Sequence, residues 1–367
     1  MKLDFFKNLD NRMKRLIYIL LVFIAGIIMF FIVGKVIIGN SDSYETIELR
    51  MKKAAMSYYS NNKELLPKED GNEITIDAAQ LMTEGYLKSF EKYNKKKGPD
   101  CNGQVFIVNN HGHYLYTPNL SCTDYKTTTL SGKILEQTKV VTEGNGLYQV
   151  GDEYIYRGEY VNNYVNFANS VWRILKIDAN GFIKLYQEET NLRTSFDNRY
   201  NIKTENSYGI NDFEVSRAKE ELNILYKDEE FLTDNDREKI ASKNLCIGKR
   251  KGTEKTNDGS LECKVQTKKK YPLGLIQLNE AINPSIDDNC KTPLSESCRN
   301  YNYINDMISN SWTLTAYSGN SFETFSIFLP STDASYRSKF IPVALYLSNR
   351  LIYTSGTGTA EDPYVIK

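Results

Sequence analysis

From Leu16 to Gly34 the chain runs nineteen residues without a charge, LIYILLVFIAGIIMFFIVG, and beyond Lys35 the apolar stretch continues to Ile38. Twenty-three helical residues reach about 35 Å, enough to cross a hydrocarbon core with some tilt. The run predicts a transmembrane helix over 16–38, since a buried core helix is usually shorter and less apolar. Lys2, Lys7, Arg12, Lys14 and Arg15 precede it, whereas only Lys35 follows it before Arg50. The positive-inside rule then makes residues 1–15 a cytoplasmic tail and sends the rest of the chain outside. The stretch is longer than the roughly 7–15 apolar residues of a signal peptide, and no A-x-A-like site follows it. The expectation is a single-pass anchor in the cell membrane, with the lipid bilayer as partner through residues 16–38.

Six cysteines, Cys101, Cys122, Cys246, Cys263, Cys290 and Cys298, all follow this run. An even number in an oxidising compartment suggests disulfides. Fifteen pairings are open, of which the neighbour pattern 101–122, 246–263 and 290–298 is the simplest. No C-x-x-C occurs and there are only two histidines, which leaves little for a metal site. Lys plus Arg and Asp plus Glu are both 46. That balance argues against a dedicated nucleic-acid binder.

Residues 39–126 read as a first folded region. Ser41 or Asp42 caps a helix with Glu45 and Glu48 near its positive end. Ile47, Met51, Ala54, Ala55 and Tyr58 fall on one face. A second helix in IDAAQLMTEGYL stops at Gly85, and runs at Gln104–Val108 and Tyr114–Tyr116 flank the turn residues Asn109-Asn110-His111-Gly112. The residues Cys101, Gly103, Val105, Tyr114, Tyr116, Leu120 and Cys122, with AAMSYYSNNKELLP and the helix ending in GYL, resemble type IV pilin-like (pseudopilin-like) proteins over about 16–125. The chain departs from that family at its processing site: Arg15 precedes the apolar run, and Leu20 stands where the family has Glu. His111 and His113 read as polar turn residues rather than as metal ligands.

Thr127 to Gly146, rich in Thr, Ser and Gly, reads as a linker with a short strand at Lys139–Thr142. Residues 147–367 read as a strand-rich second region, so the fold class is α+β. VWRILKI (171–177), Asp178-Ala-Asn-Gly181 and FIKLYQ (182–187) make a hairpin. Helices are expected at Asp212–Tyr226 and Thr233–Ser242, the latter capped by Thr233. Trp172 and Trp312 read as core.

The pieces WRIL and GFIKLYQ, SRAKEELNILYKDEEFLTDNDREKI, PLGLIQLNEAI, WTLTAYS, IPVALYL and GTGTAEDPYVI resemble, in order and spacing, a recurrent bacterial surface domain. Its fold is similar to C-type-lectin-like and formylglycine-generating-enzyme-like folds. The resemblance implies a ligand face on long loops of the C-terminal third, where Tyr317, Asn320, Tyr336 and Arg337 stand. Trp312-Thr-Leu-Thr-Ala departs from the family's W-x-L-R-S, and Phe340-Ile-Pro from its V-R-P.

Other patterns carry less. Asp234-x-Asp236-x-Glu238 has calcium-like spacing but lacks the glycine of such a loop, which favours helix capping. Asp287-Asp288-Asn289 reads as a solvated loop. Cys290 and Cys298 fit a structural loop better than a catalytic thiol pair. Residues 249–270 hold eight Lys or Arg against three acids, read as a solvated, disulfide-tied insertion, with contact to anionic envelope polymer as the alternative. Taken together, the sequence predicts a surface protein for recognition or adhesion that binds a glycan, an envelope polymer or a protein. It implies no cofactor, no catalytic residue and no nucleic-acid partner. A minor pilin-like component of a pilus or secretion assembly is the alternative, and an exported enzyme comes third.

Overall fold

The computed structural model describes residues 42–96, 98–187, 191–304, 310–336 and 339–367, together with Asp10, Met13, Ile17, Leu20 and Ile24. Among these residues no helix is long and apolar enough to cross a membrane. The longest described helix, α1 (Tyr44–Asn61), has 18 residues but carries Glu45, Glu48, Arg50, Lys52 and Lys53, and so many charges exclude it from hydrocarbon. The expected transmembrane helix over 16–38 falls almost wholly outside the described residues, of which it contains only Ile17, Leu20 and Ile24. The fold class is therefore corrected to α+β with no membrane-spanning helix among the described residues, and the expected single-pass, bilayer-anchored localisation finds no such helix to carry it.

The chain divides into two units. One comprises 1–58, 77–104 and 118–126, and the other 59–76, 105–117 and 127–367. A four-stranded sheet of order β1-β2-β3-β4 is built from Glu73–Asp77 (β1), Asn102–Asn110 (β2), His113–Cys122 (β3) and Tyr125–Lys126 (β4). The β2–β3 turn places His111 at φ 56 and Gly112 at φ 89. That left-handed pair suits a two-residue hairpin loop.

In the first unit, α1 buries Ile47, Met51, Ala54 and Ala55, the apolar face seen in the sequence. Gly103 lets Met51 pack closely here, because a Cβ on it would lie 2.6 Å from the Met51 Cε and 3.0 Å from Asn119 O. Glu48, fully buried, accepts the Tyr125 hydroxyl at 2.8 Å, and Tyr44 stacks on Tyr125 at 4.4 Å. Burial, then the Glu48 carboxylate, pushes the Tyr125 phenol well up. Helix α2 (Ala78–Thr83) ends at Gly85, φ 80, where Tyr86 N donates to Leu81 O. A left-handed glycine after the last turn satisfies the helix's orphan carbonyls. A short helix α3 (Phe90–Tyr93) follows. The Cys101–Cys122 bridge closes the segment.

The second unit opens with α4 (Leu130–Gln137), capped by Thr129, whose hydroxyl accepts from Gly132 N. This helix lies in the stretch 127–146. Gly146–Val150 (β5), Glu153–Arg157 (β6), Tyr164–Phe167 (β7), Ser170–Ile177 (β8) and Ile183–Tyr186 (β9) then form most of an antiparallel sheet of eight strands. Arg193–Thr194 (β10) pairs elsewhere. Helix α5 (Arg217–Lys227) starts at Ser216, whose hydroxyl accepts from Lys219 N.

The helix expected over Thr233–Ser242 is only α6 (Asp234–Arg237), held by a Thr233/Asp236 capping box. It stops because Ile240–Ala241 (β11) pairs with the central strands and is buried there. Leu273–Leu275 (β12) and helix α7 (Leu278–Ile282) follow. Trp312–Ala316 (β13), Glu323–Ser326 (β14) and Leu329–Asp333 (β15) make a three-stranded sheet, and Lys339–Phe340 (β16) pairs with β10. Val343–Leu347 (β17) completes the large sheet, ordered β11-β17-β9-β8-β6-β5, with β12 on β17 and β7 on β8. Tyr353–Ser355 (β18) and Val365–Ile366 (β19) pair at the end of the chain.

Trp172 and Trp312 are fully buried, and each indole N–H finds a carbonyl, on Phe167 and Thr194 respectively. Satisfied indoles of this kind are compatible with a core. The bridges Cys246–Cys263 and Cys290–Cys298 lie in this unit, and no described cysteine is free.

Candidate functional site: a polar cleft beside strand β8

Registry across the large sheet fixes what each face presents. Ile174 lies opposite Leu185, Ile177 opposite Ile183, and Leu345 and Leu347 opposite Leu185 and Ile183, so one face is aliphatic. The other face carries Arg173 opposite Tyr186, Lys176 opposite Lys184, and Lys184 opposite Tyr346. A bulge sets this arrangement. Between Ile174 and Lys176, β8 advances two residues while β9 advances one, so Leu175 is the extra residue. Were Leu175 paired one to one instead of bulged, strict alternation would put Lys176 on the aliphatic face.

Two ammonium groups directly opposite one another repel and need counter-charges. Glu153, from β6, receives Lys176 Nζ at 3.0 and 2.9 Å. Glu280, from α7, receives Lys184 Nζ at 2.6 Å on both oxygens. The Lys184–Glu280 side chains are 4% and 8% exposed. Glu280 also accepts Gln277 N at 2.9 Å as part of the α7 capping box. Burial works to raise the Glu280 carboxyl, but Lys184 and Lys176 outweigh it and hold the group below the usual range. Burial works against the charged form of Lys176, and Tyr346, Glu280 and Glu153 overcome it to hold the ammonium well up. Burial raises the Tyr346 phenol against the pull of Lys184 and Lys176.

A cleft of about 340 Å³ opens beside this network, lined by Glu153, Leu175, Lys176, Asn279, Glu280 and Tyr303 and by the loop Asp258-Gly259-Ser260. The loop is held from behind. Cys263, which also lines the cleft, is bonded to Cys246. Glu262 receives Arg250 Nη1 at 3.0 Å, and both side chains have no exposure. Arg250 also donates to Glu254 O and to Asn257 Oδ1. Burial pushes the Glu262 carboxyl up against the opposing effect of Arg250. Gly259 adopts φ +84, and a Cβ there would sit 2.8 Å from Asn279 Nδ2, so the loop backbone lies directly on that carboxamide. Asn279 is 5% exposed, and its Oδ1 has no hydrogen-bond partner among the described residues. A buried acceptor left unmatched costs about 1–3 kcal/mol. Asp258 Oδ1 accepts Ser260 N, and the Ser260 side chain and then this backbone bond lower its pKa.

The residues expected to form a ligand face lie elsewhere. Tyr317 is half-buried, edge-on to Phe325 at 6.0 Å. Asn320 spends its Oδ1 on Phe322 N and Glu323 N within its own turn. Tyr336 is 52% exposed, with Lys339 Nζ 5.4 Å from its ring, and burial lowers that ammonium to about 8. Arg337 lies outside the described residues. None of Tyr317, Asn320 and Tyr336 lines the cleft.

The histidines each meet a carboxylate. His111 Nδ1 lies 4.0 Å from Asp70 and His113 Nδ1 lies 3.6 Å from Asp234. The hydrogen bond with Asp70 raises the His111 pKa. Among the described residues no group of three or more His, Cys, Asp or Glu is placed to hold a metal ion. Asp287 caps its own loop, accepting from Asn289 N and from Asn300 Nδ2. The basic stretch 249–270 is only partly a solvated insertion, since Arg250 is wholly buried. Comparison with protein-family models, with curated proteins and with solved structures returns no match.

One signal for the cleft was present in the sequence. Lys176 and Lys184 are charges inside two largely apolar strand runs, of which the first also holds Arg173, and they face each other across the DANG turn. Glu153, Asp258 and Asn279 carry no such mark.

Proposed function

We propose that this protein is a recognition module of an oxidising, extracytoplasmic environment, and that the cleft beside β8 holds its ligand. One observation carries the reading: Asn279, in the lining of a cleft whose Glu153, Lys176 and Glu280 side chains are fixed by ion pairs, keeps a buried Oδ1 that has no partner among the described residues. An acceptor held without a donor in a preformed concave site suits a ligand that supplies one. The carboxylates favour binding over proton transfer. A general acid near neutral pH needs a raised pKa, whereas Glu280 is lowered and locked to Lys184. The three disulfides suit a compartment that keeps thiols oxidised. The ligand classes in view are a glycan, an envelope polymer and a protein.

The test is an array of glycans, envelope polymers and peptides probed with the full chain and with Asn279→Leu, both checked for three intact disulfides. A set of ligands held by the native chain and lost from the variant supports the reading. A folded native chain that binds nothing on the array, or binds undiminished after the substitution, overturns it.

A further inference from the structure

We propose that the cleft selects ligands through a primary ammonium group, as on a deacetylated amino sugar; the inference rests on the cleft being a ligand site. The charges that line it are three carboxylates, Glu153, Asp258 and Glu280, against one ammonium, Lys176. Glu153 is matched by Lys176, and Glu280 by the buried Lys184 behind the wall. Asp258 has no ion pair among the described residues, and it is exposed. It is the carboxylate left over. Its neighbour Gly259 lies against the Asn279 carboxamide, whose Oδ1 lacks a donor among the described residues. The unmatched groups of the site are therefore a negative charge and a buried acceptor on two adjoining pieces of its lining.

An ammonium group answers both. It offers three donors and a compact positive charge. A neutral amide supplies a donor but no charge. An anionic ligand adds to the carboxylate excess. Ser260, Gln277 and Asn283 also line the cleft and provide neutral partners for hydroxyl groups around the amine. A volume near 340 Å³ is at the lower end of small-molecule sites, which suits a short saccharide end rather than a folded partner.

The experiment is titration calorimetry of the full chain with the glucosamine dimer and with its fully N-acetylated counterpart. The free amine is expected to bind at least tenfold tighter than the acetylated sugar. Its affinity should weaken as salt is raised, and again as pH rises through the pKa of the amine. Asp258→Asn, an exposed and isosteric change, should weaken the amine three- to tenfold, and by more than it weakens the acetylated sugar. Asn279→Leu should weaken the amine at least tenfold without lowering the melting temperature, a split that a purely structural residue would not give.

Equal affinity for the two sugars, or an Asp258→Asn variant that binds the amine as tightly as the native chain, overturns ammonium selection. It leaves recognition standing if the array above still registers cleft-dependent ligands. No binding of either sugar, together with an array confined to anionic or acetylated ligands, overturns ammonium selection alone. An empty array overturns both readings.

Discussion

Two buried ion pairs of the second unit differ in how completely they are satisfied. In Lys184–Glu280 both carboxylate oxygens take the ammonium, and one of them also caps α7. In Arg250–Glu262 both side chains have no exposure, yet Arg250 Nε and Glu262 Oε2 have no partner among the described residues. The first pair presents its acid to the cleft, and that acid is lowered. The second lies behind the loop and its acid is raised by burial. Burial alone therefore does not determine what a charge pair does. A pair whose remaining lone pairs are filled can hold a site rigid, whereas one that leaves atoms unmatched gives back much of its Coulombic gain as desolvation.

The sharpest way to break the comparison is to remove one partner. Lys184→Met strands a buried carboxylate and is expected to destabilise the chain by about 3–5 kcal/mol in chemical denaturation. The simultaneous change Arg250→Met with Glu262→Leu is expected to be neutral or stabilising, because it removes two unmatched atoms together with the charges. A double variant as costly as Lys184→Met would show that the second pair is as well satisfied as the first.

The next effect is that of the staple behind the loop. Replacing Cys246 and Cys263 by Ser frees a 17-residue separation and is expected to cost about 3 kcal/mol in the chain-entropy model. It should also abolish binding in the cleft before the unit unfolds, which ligand titration at low denaturant would reveal.

The pH response separates the pairs by sign. The Glu280 carboxyl lies below its unfolded value of 4.5, so its contribution is complete above that value and is lost as pH falls through the lower folded one. The Glu262 carboxyl lies above 4.5, so its contribution is complete below that value and shrinks as pH rises through the folded one. Glu280→Gln should flatten the acid limb of the stability curve. Glu262→Gln should remove a decline on going upward from pH 4.5. Two variants with the same slope would dissolve the distinction.

The smallest effect belongs to the exposed pair Arg217–Glu221, spaced i,i+4 on α5 at 2.8 Å. Arg217→Ala is expected to cost about 0.3–0.5 kcal/mol and to fade in high salt. A larger loss there would mean that solvent screening is weaker on this face than its exposure implies.

Local chemistry made much of the fold legible, and distance hid the site. The β8–β9 hairpin was written in VWRILKI, DANG and FIKLYQ, and the Thr233 cap in a Thr-Asp-Asn-Asp run. The three bridges join sequence neighbours, the simplest of fifteen pairings. Helix α4 was missed because LSGKILEQ contains a glycine and follows a run of threonines, composition that suits a linker, although Thr129 caps it. The helix at Thr233–Ser242 was overextended because pairing of Ile240 and Ala241 with β17 overrides local propensity. The cleft joins residues 153, 176, 258 and 279, and nothing in a linear pattern brings these together. The loop residues Tyr317 and Asn320 were chosen by resemblance, and their side chains are engaged with a neighbouring ring and with their own turn.

The extra residue at Leu175 reaches furthest. Deleting that one position would leave Lys176 opposite Lys184 and Ile177 opposite Ile183, so the polar layer would survive. Pairing the two strands one to one with Leu175 retained would instead turn the lysine toward the aliphatic layer. The cleft would then exchange a cation for hydrocarbon, and Glu153 would become a second unclaimed negative charge. The electrical character of the whole depression thus depends on a single irregular step in a strand.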